Sequence, residues 1–151
     1  MKTARGYYTL KNKKVYIYAD GGSRGNPGPA GIGVVILDEK KKRIKELSKY
    51  IGETTNNNAE YNALICGLEE ALSLNADEAV VYLDSELVAR QINGEYRVKN
   101  EEIKPLFERA LKALKGFKSF EIKHIDRLKN KEADKLVNKA INLASVGDLG
   151  T

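Results

Sequence analysis

Val15-Tyr16-Ile17-Tyr18-Ala19-Asp20 alternates in the manner of a strand and runs straight into Gly21-Gly22-Ser23-Arg24-Gly25-Asn26-Pro27-Gly28-Pro29. Glycine, asparagine and proline supply the backbone angles that turns require, so this segment reads as a loop and the strand is expected to end at Asp20. Downstream, residues 31–37 and 43–51 have strand character on either side of Asp38-Glu39-Lys40, which predicts an antiparallel meander of three strands. The period then changes. Ala63, Leu64, Gly67, Leu68, Ala71 and Leu72 recur at helical spacing from residue 58 onward, behind Thr55, Asn56 and Asn57 as capping side chains.

Residues 79–83 form a short apolar run of the kind buried on both faces of a sheet, and it stops at Asp84. Ser85 is positioned to cap a second helix that reaches about Gln91 and closes at Asn93-Gly94. A third helix is expected over 101–114, interrupted early by Pro105 and ended by Gly116. A fifth strand over 117–124 and a last helix over 131–144, with Ala133, Leu136, Val137, Ala140 and Ile141 turned inward, complete the pattern. Strands first, then alternating helices and strands, predict an α/β fold: a five-stranded mixed sheet, three antiparallel strands followed by parallel ones, flanked by helices. We expect a single domain over residues 1–151, with its core at 14–144 and a flexible tail at 145–151.

Lys and Arg number 26 against 21 Asp and Glu, a formal charge of +5, and the sequence pI is about 9.2. This basic lean suits an anionic partner such as nucleic acid, and equally a well-solvated lysine-rich surface. A chain of 151 residues buries roughly 70% of its unfolded surface, enough for a core without disulfide or structural metal. The single cysteine, Cys66, excludes an internal disulfide and a cysteine-based zinc site and is expected in the core; one histidine leaves no nitrogen-rich metal site. Any metal must be held by oxygen. No apolar run approaches the about 18 residues of a membrane span, and the first residues lack a leader's apolar stretch, so a cytoplasmic protein without membrane contact is expected.

Asp20 and Asp84 close two separate apolar strands, where open α/β sheets place their ligand crevices. Glu60 falls in the first turn of a helix, and Asp134 near the start of the last one, with Asn130 placed to cap it. Taken singly, each acid also fits a turn or a solvated helix position. Four carboxylates meeting in one crevice would repel unless divalent cations compensated them, so their convergence would mean bound metal. Oxygen-only ligation favours magnesium or manganese.

The segment from Tyr18 to Gly31 resembles the first signature of type 1 ribonuclease H. Thr55-Asn56-Asn57-Asn58-Ala59-Glu60-Tyr61 is similar to the second, Leu83-Asp84-Ser85 to the third and Asn130-Lys131-Glu132-Ala133-Asp134 to the fourth. All four stand in family order and spacing, and the resemblance covers nearly all of residues 14–144. It implies a ribonuclease H-like fold and an endonuclease that hydrolyses the RNA strand of RNA–DNA hybrids, leaving 5′-phosphate and 3′-hydroxyl ends. It also implies two Mg²⁺ per active site, with Mn²⁺ as a substitute, held by Asp20, Glu60, Asp84 and Asp134. Glu60 would additionally accept a hydrogen bond from the ribose 2′-hydroxyl, the group that distinguishes RNA from DNA.

By the same resemblance Asn26, Asn56 and Asn57 match positions that touch the hybrid's minor groove, while Thr55 and Asn100 match positions that hold a DNA-strand phosphate. Ser85 joins them as a substrate contact beside Asp84. Glu86 departs from the pattern, standing where many relatives carry a glutamine near the bases. Residues 92–104 are too few for the extra basic helix that some bacterial members use, so Lys99, Lys104, Lys112, Lys115 and Lys118 are candidate substitutes. His124 and Arg127 lie in a compact version of the family's last loop, where they are expected to influence turnover. Some archaeal relatives also cut double-stranded RNA, which leaves that substrate open here. A monomer is the default expectation, and an inactive binding module on the same fold is the competing reading.

Overall fold

The computed structural model describes residues 13–149. Strands β1 (Lys14–Ser23), β2 (Gly28–Leu37) and β3 (Arg43–Thr54) form the antiparallel meander. β4 (Glu78–Leu83) pairs parallel with β1, and β5 (Ser119–His124) pairs parallel with β4, giving the sheet order β3-β2-β1-β4-β5. The helices are α1 (Asn56–Ser73), α2 (Glu86–Ile92), α3 (Lys104–Leu114) and α4 (Lys131–Leu149), with a 3-10 turn at Arg127–Asn130 before the last. None of the described helices is long and apolar enough to cross a membrane.

The two-residue period of β1 and β2 sorts their side chains onto two faces. Val15, Ile17 and Ala19 of β1, with Ile32, Val34 and Ile36 of β2, meet the fully buried Tyr61, Leu64, Ile65 and Leu68 of α1. Each such large apolar side chain contributes about 1.5–3 kcal/mol by leaving water. The alternate residues face α4, whose Ala133, Leu136, Val137, Ala140 and Ile141 are buried. Tyr16, Tyr18 and Tyr82 stack on one another on the sheet, with ring centroids 4.6 Å apart for Tyr18–Tyr82 and 6.4 Å for Tyr16–Tyr82.

Several boundaries differ from expectation. β1 does not end at Asp20, because Gly21, Gly22 and Ser23 stay paired with Ile32, Gly31 and Ala30, so the turn is confined to the loop beyond. α1 starts two residues early, capped by Thr55, whose Oγ1 accepts from the Asn58 N–H at 3.2 Å. α3 begins only at Lys104, since Pro105 has no N–H and is favoured in the first turn rather than the interior. α4 continues to Leu149, so residues 145–149 of the expected flexible tail are helical; 150 and 151 lie outside the described residues. Cys66 is half-buried against the edge of the core instead of inside it.

Candidate active site

Parallel register carries the site. Ala19 pairs with Leu83, so the next residues, Asp20 and Asp84, stand side by side where β1 and β4 part. Helices deliver the other two acids, and glycines set how near they come. A Cβ on Gly21 would lie 2.1 Å from the Ala59 carbonyl oxygen, so only glycine lets the first turn of α1, with Glu60, press onto β1. Likewise a Cβ on Gly33 would sit 2.1 Å from the Ala133 carbonyl oxygen. Its absence lets α4 approach the partner of Asp20 in β2, bringing Asp134 across.

The result is a cleft of about 350 Å³ lined by Asp20, Glu60, Asp84 and Asp134, with Arg127 at its mouth and Arg24, Asn56 and Asn138 along its wall. Asp20 is only 8% exposed. Burial, then the charges of Asp84 and Asp134, push its carboxyl up to about 8, against the pull of Arg127. Burial likewise lifts Glu60 to about 7, although a Ser85 hydrogen bond and Arg127 favour its ionised form. Arg127 Nη2 stands 3.6 Å from Asp134 Oδ1, but the arginine side chain is 78% exposed and cannot compensate four acids gathered in one cleft.

Among the described residues, no group of three or more His, Cys, Asp or Glu side chains is arranged, as the side chains stand, so that it could hold a metal ion. Burial and the charges of Asp84 and Asp134 hold the Asp20 carboxyl toward its protonated form there. The donor set is all oxygen, and positive charge is what it lacks. These residues fit divalent ions.

The remaining expected residues fall into three groups. Arg127 and Asn56 line the cleft, and Asn26 lies beside it, its Oδ1 accepting from the Asn56 N–H at 3.1 Å. Asn56 Oδ1 in turn accepts from the Ser23 N–H at 2.8 Å, tying the glycine-rich loop to the start of α1. Thr55 and Ser85 cap α1 and α2, Ser85 Oγ accepting from the Val88 N–H at 3.2 Å, and Asn57 is exposed on the first turn of α1. Asn100 and His124 are exposed and do not line the cleft. Asn100 Oδ1 accepts from Glu102 and Ile103 N–H groups, shaping the turn into α3, while His124 pairs with Leu83 at the end of β5. Glu86 is met by Arg90 at 2.9 Å, so its charge is not bare.

Sequence reasoning missed Arg24 and Asn138, joined at 3.3 Å across the cleft wall; four-residue spacing from Asp134 is the signal that would have placed Asn138 on its face. It also misassigned Asn130. Rather than capping α4, its side chain points inward and binds Ala19 and Asp84.

Residues 18–140 match a family model described as reverse transcriptase-like. The chain belongs to the ribonuclease H family. A bifunctional protein of Mycobacterium tuberculosis is 43% identical over 133 residues, covering 87% of this chain and 36% of that protein. Ribonuclease HI of Halobacterium salinarum is 39% identical over 129 residues, covering 85% of this chain and 65% of its own length. The chain thus spans about a third of the mycobacterial relative. Among solved structures, LC11-RNase H1 in complex with an RNA/DNA hybrid superposes with a TM-score of 0.81 at 49% identity, covering 86% of this chain and 98% of that one. The fold is the ribonuclease H fold, and ribonucleases H depend on divalent metal ions.

Proposed function

We infer that this chain is an endoribonuclease that hydrolyses the RNA strand of RNA–DNA hybrids, with Mg²⁺ as its working ion and Mn²⁺ as a substitute. What supports the reading is the cleft shared by Asp20, Glu60, Asp84 and Asp134 in a chain of this family. Asp20, central and most desolvated, would hold both ions; Glu60 and Asp84 would flank one side and Asp134 the other. Divalent ions bound there supply activation of water and neutralisation of charge at the scissile phosphate.

This chain's own residues do the rest. Glu60, beside Ser85 in the cleft, would accept from a ribose 2′-hydroxyl, which DNA lacks. Arg127 and Arg24, both lining the cleft, would offer guanidinium donors to backbone phosphates. Asn26, Asn56 and Asn57 form a short polar surface suited to a minor groove read by shape. Water adds to phosphorus, the bond to the 3′ oxygen breaks, and that oxygen takes the proton, leaving 5′-phosphate and 3′-hydroxyl ends. Action as a monomer, and cutting of double-stranded RNA as a second activity, belong to the same reading.

The test is cleavage of an end-labelled hybrid in MgCl₂ by the parent and Asp20→Asn, with duplex DNA and double-stranded RNA alongside. The parent should cut only RNA strands and leave 3′-hydroxyl ends, while Asp20→Asn binds hybrid without cutting it. Undiminished cutting by Asp20→Asn, or an intact hybrid with the parent, would overturn the assignment, and the latter would favour a binding module.

A further inference from the structure

We propose that Asn130 is a positioning residue: its side-chain amide holds Asp84 for metal binding and locks together the three elements that carry Asp20, Asp84 and Asp134. The inference rests on the reading above, since it assigns a role toward the same ions.

Asn130 is 1% exposed. Its Nδ2 donates to the Ala19 carbonyl oxygen at 3.0 Å and to Asp84 Oδ2 at 2.9 Å. Both partners only accept, so the nitrogen end of the amide must face them. The other end, Oδ1, is buried with no partner. An unpaired buried oxygen is destabilising, and a residue serving packing alone would not carry one. The donor end therefore accounts for the amide's presence.

Its placement says what that end does. Ala19 directly precedes Asp20 on β1, Asp84 directly follows β4, and Asn130 directly precedes α4, which carries Asp134. A single planar group with two N–H bonds in fixed directions thus sets the mutual position of β1, β4 and α4 at the point where their acids meet. Engaging Oδ2 also fixes the Asp84 rotamer and leaves Oδ1 free to ligate. Groups that hydrogen-bond a metal ligand from behind change metal affinity about 10–100-fold when removed.

The test is Asn130→Ala, read by calorimetric titration of the protein with MgCl₂ alone, by the Mg²⁺ concentration giving half-maximal hybrid cleavage, and by hybrid binding in EDTA. We expect the Mg²⁺ dissociation constant and the cleavage midpoint to rise together about tenfold or more, with hybrid affinity in EDTA within about twofold of the parent. In an Asp84→Ala background the effect of Asn130→Ala on Mg²⁺ binding should shrink severalfold, because the carboxylate it holds is gone and only the bond to Ala19 remains. Parent-like Mg²⁺ affinity in folded Asn130→Ala, or an undiminished effect in the Asp84→Ala background, would overturn the proposal. If Asn130→Ala does not fold, Asn130→Ser takes its place, and parent-like Mg²⁺ binding by that variant overturns it equally. A parent that binds Mg²⁺ but leaves hybrids intact would sink the nuclease reading and leave this one standing.

Discussion

Asp20 shows how one residue can work against the stability of the fold that holds it. Its carboxyl titrates at about 8 in the folded chain against 3.8 in the open one, and Glu60 at about 7 against 4.5. Between those limits the folded state holds protons that the unfolded state has released, so raising the pH removes stability from the metal-free protein. Asp20→Asn mimics the protonated form and should abolish most of this loss. In EDTA, its melting temperature should equal the parent's near pH 4 and exceed it by about 5 °C at pH 8, corresponding to about 2 kcal/mol after allowing for solvent in the cleft. A difference that stays flat across that range, measured by circular dichroism, would contradict the burial of this carboxyl.

Elements transmit the geometry through close approach. α1 and α4 reach β1 and β2 only because Gly21 and Gly33 have no side chains. Gly21→Ala should push α1 off β1, cost about 2–4 kcal/mol, and lower kcat by at least about 100-fold, because Glu60 moves with the helix. By contrast, Gly94, at φ +80 with nothing near its missing Cβ, should tolerate alanine with only the modest strain of a left-handed backbone and near-parent kcat. Between α1 and α2, the buried Tyr61 hydroxyl donates to Gln91 Oε1 at 2.7 Å. Tyr61→Phe leaves that oxygen unpaired and should cost about 1–3 kcal/mol in urea unfolding, with kcat changed far less than by Gly21→Ala.

Across the whole molecule, the proposed metal and the proton would compete for the same carboxylates. On the proposed function Mg²⁺ would bind the ionised cleft, so adding it should raise the melting temperature in proportion to the logarithm of its concentration, and more steeply at pH 8 than at pH 5. Equal stabilisation at both values would mean that the ion binds elsewhere. The net charge of +5 is small, and Lys45, Lys104, Lys123 and Lys135 already stand in ion pairs, Lys104 with Glu101 at 2.7 Å. Hybrid binding should therefore weaken with salt with a shallow slope, reflecting few phosphate contacts rather than a basic protrusion.

Much of this was legible from residue order alone. Alternation in 15–20, helical spacing from Ala63 to Leu72 and the apolar run before Asp84 are local properties, and they determined the element types, the mixed sheet and the identity of the four acids. Local pattern also misled where pairing partners decide: Gly21 to Ser23 look like a turn but are held in β1 by β2, and Asn130 looks like a cap but turns inward to β1. That Asp20 and Asp84 stand side by side, that Arg24 meets Asn138, and that His124 stays off the cleft wall depend on strand register and helix approach. Those are contacts between residues far apart in the chain. Spacing along a chain encodes which way a side chain faces on its own element, but only packing brings one element's face to another's, and the chemistry of this site arises between elements.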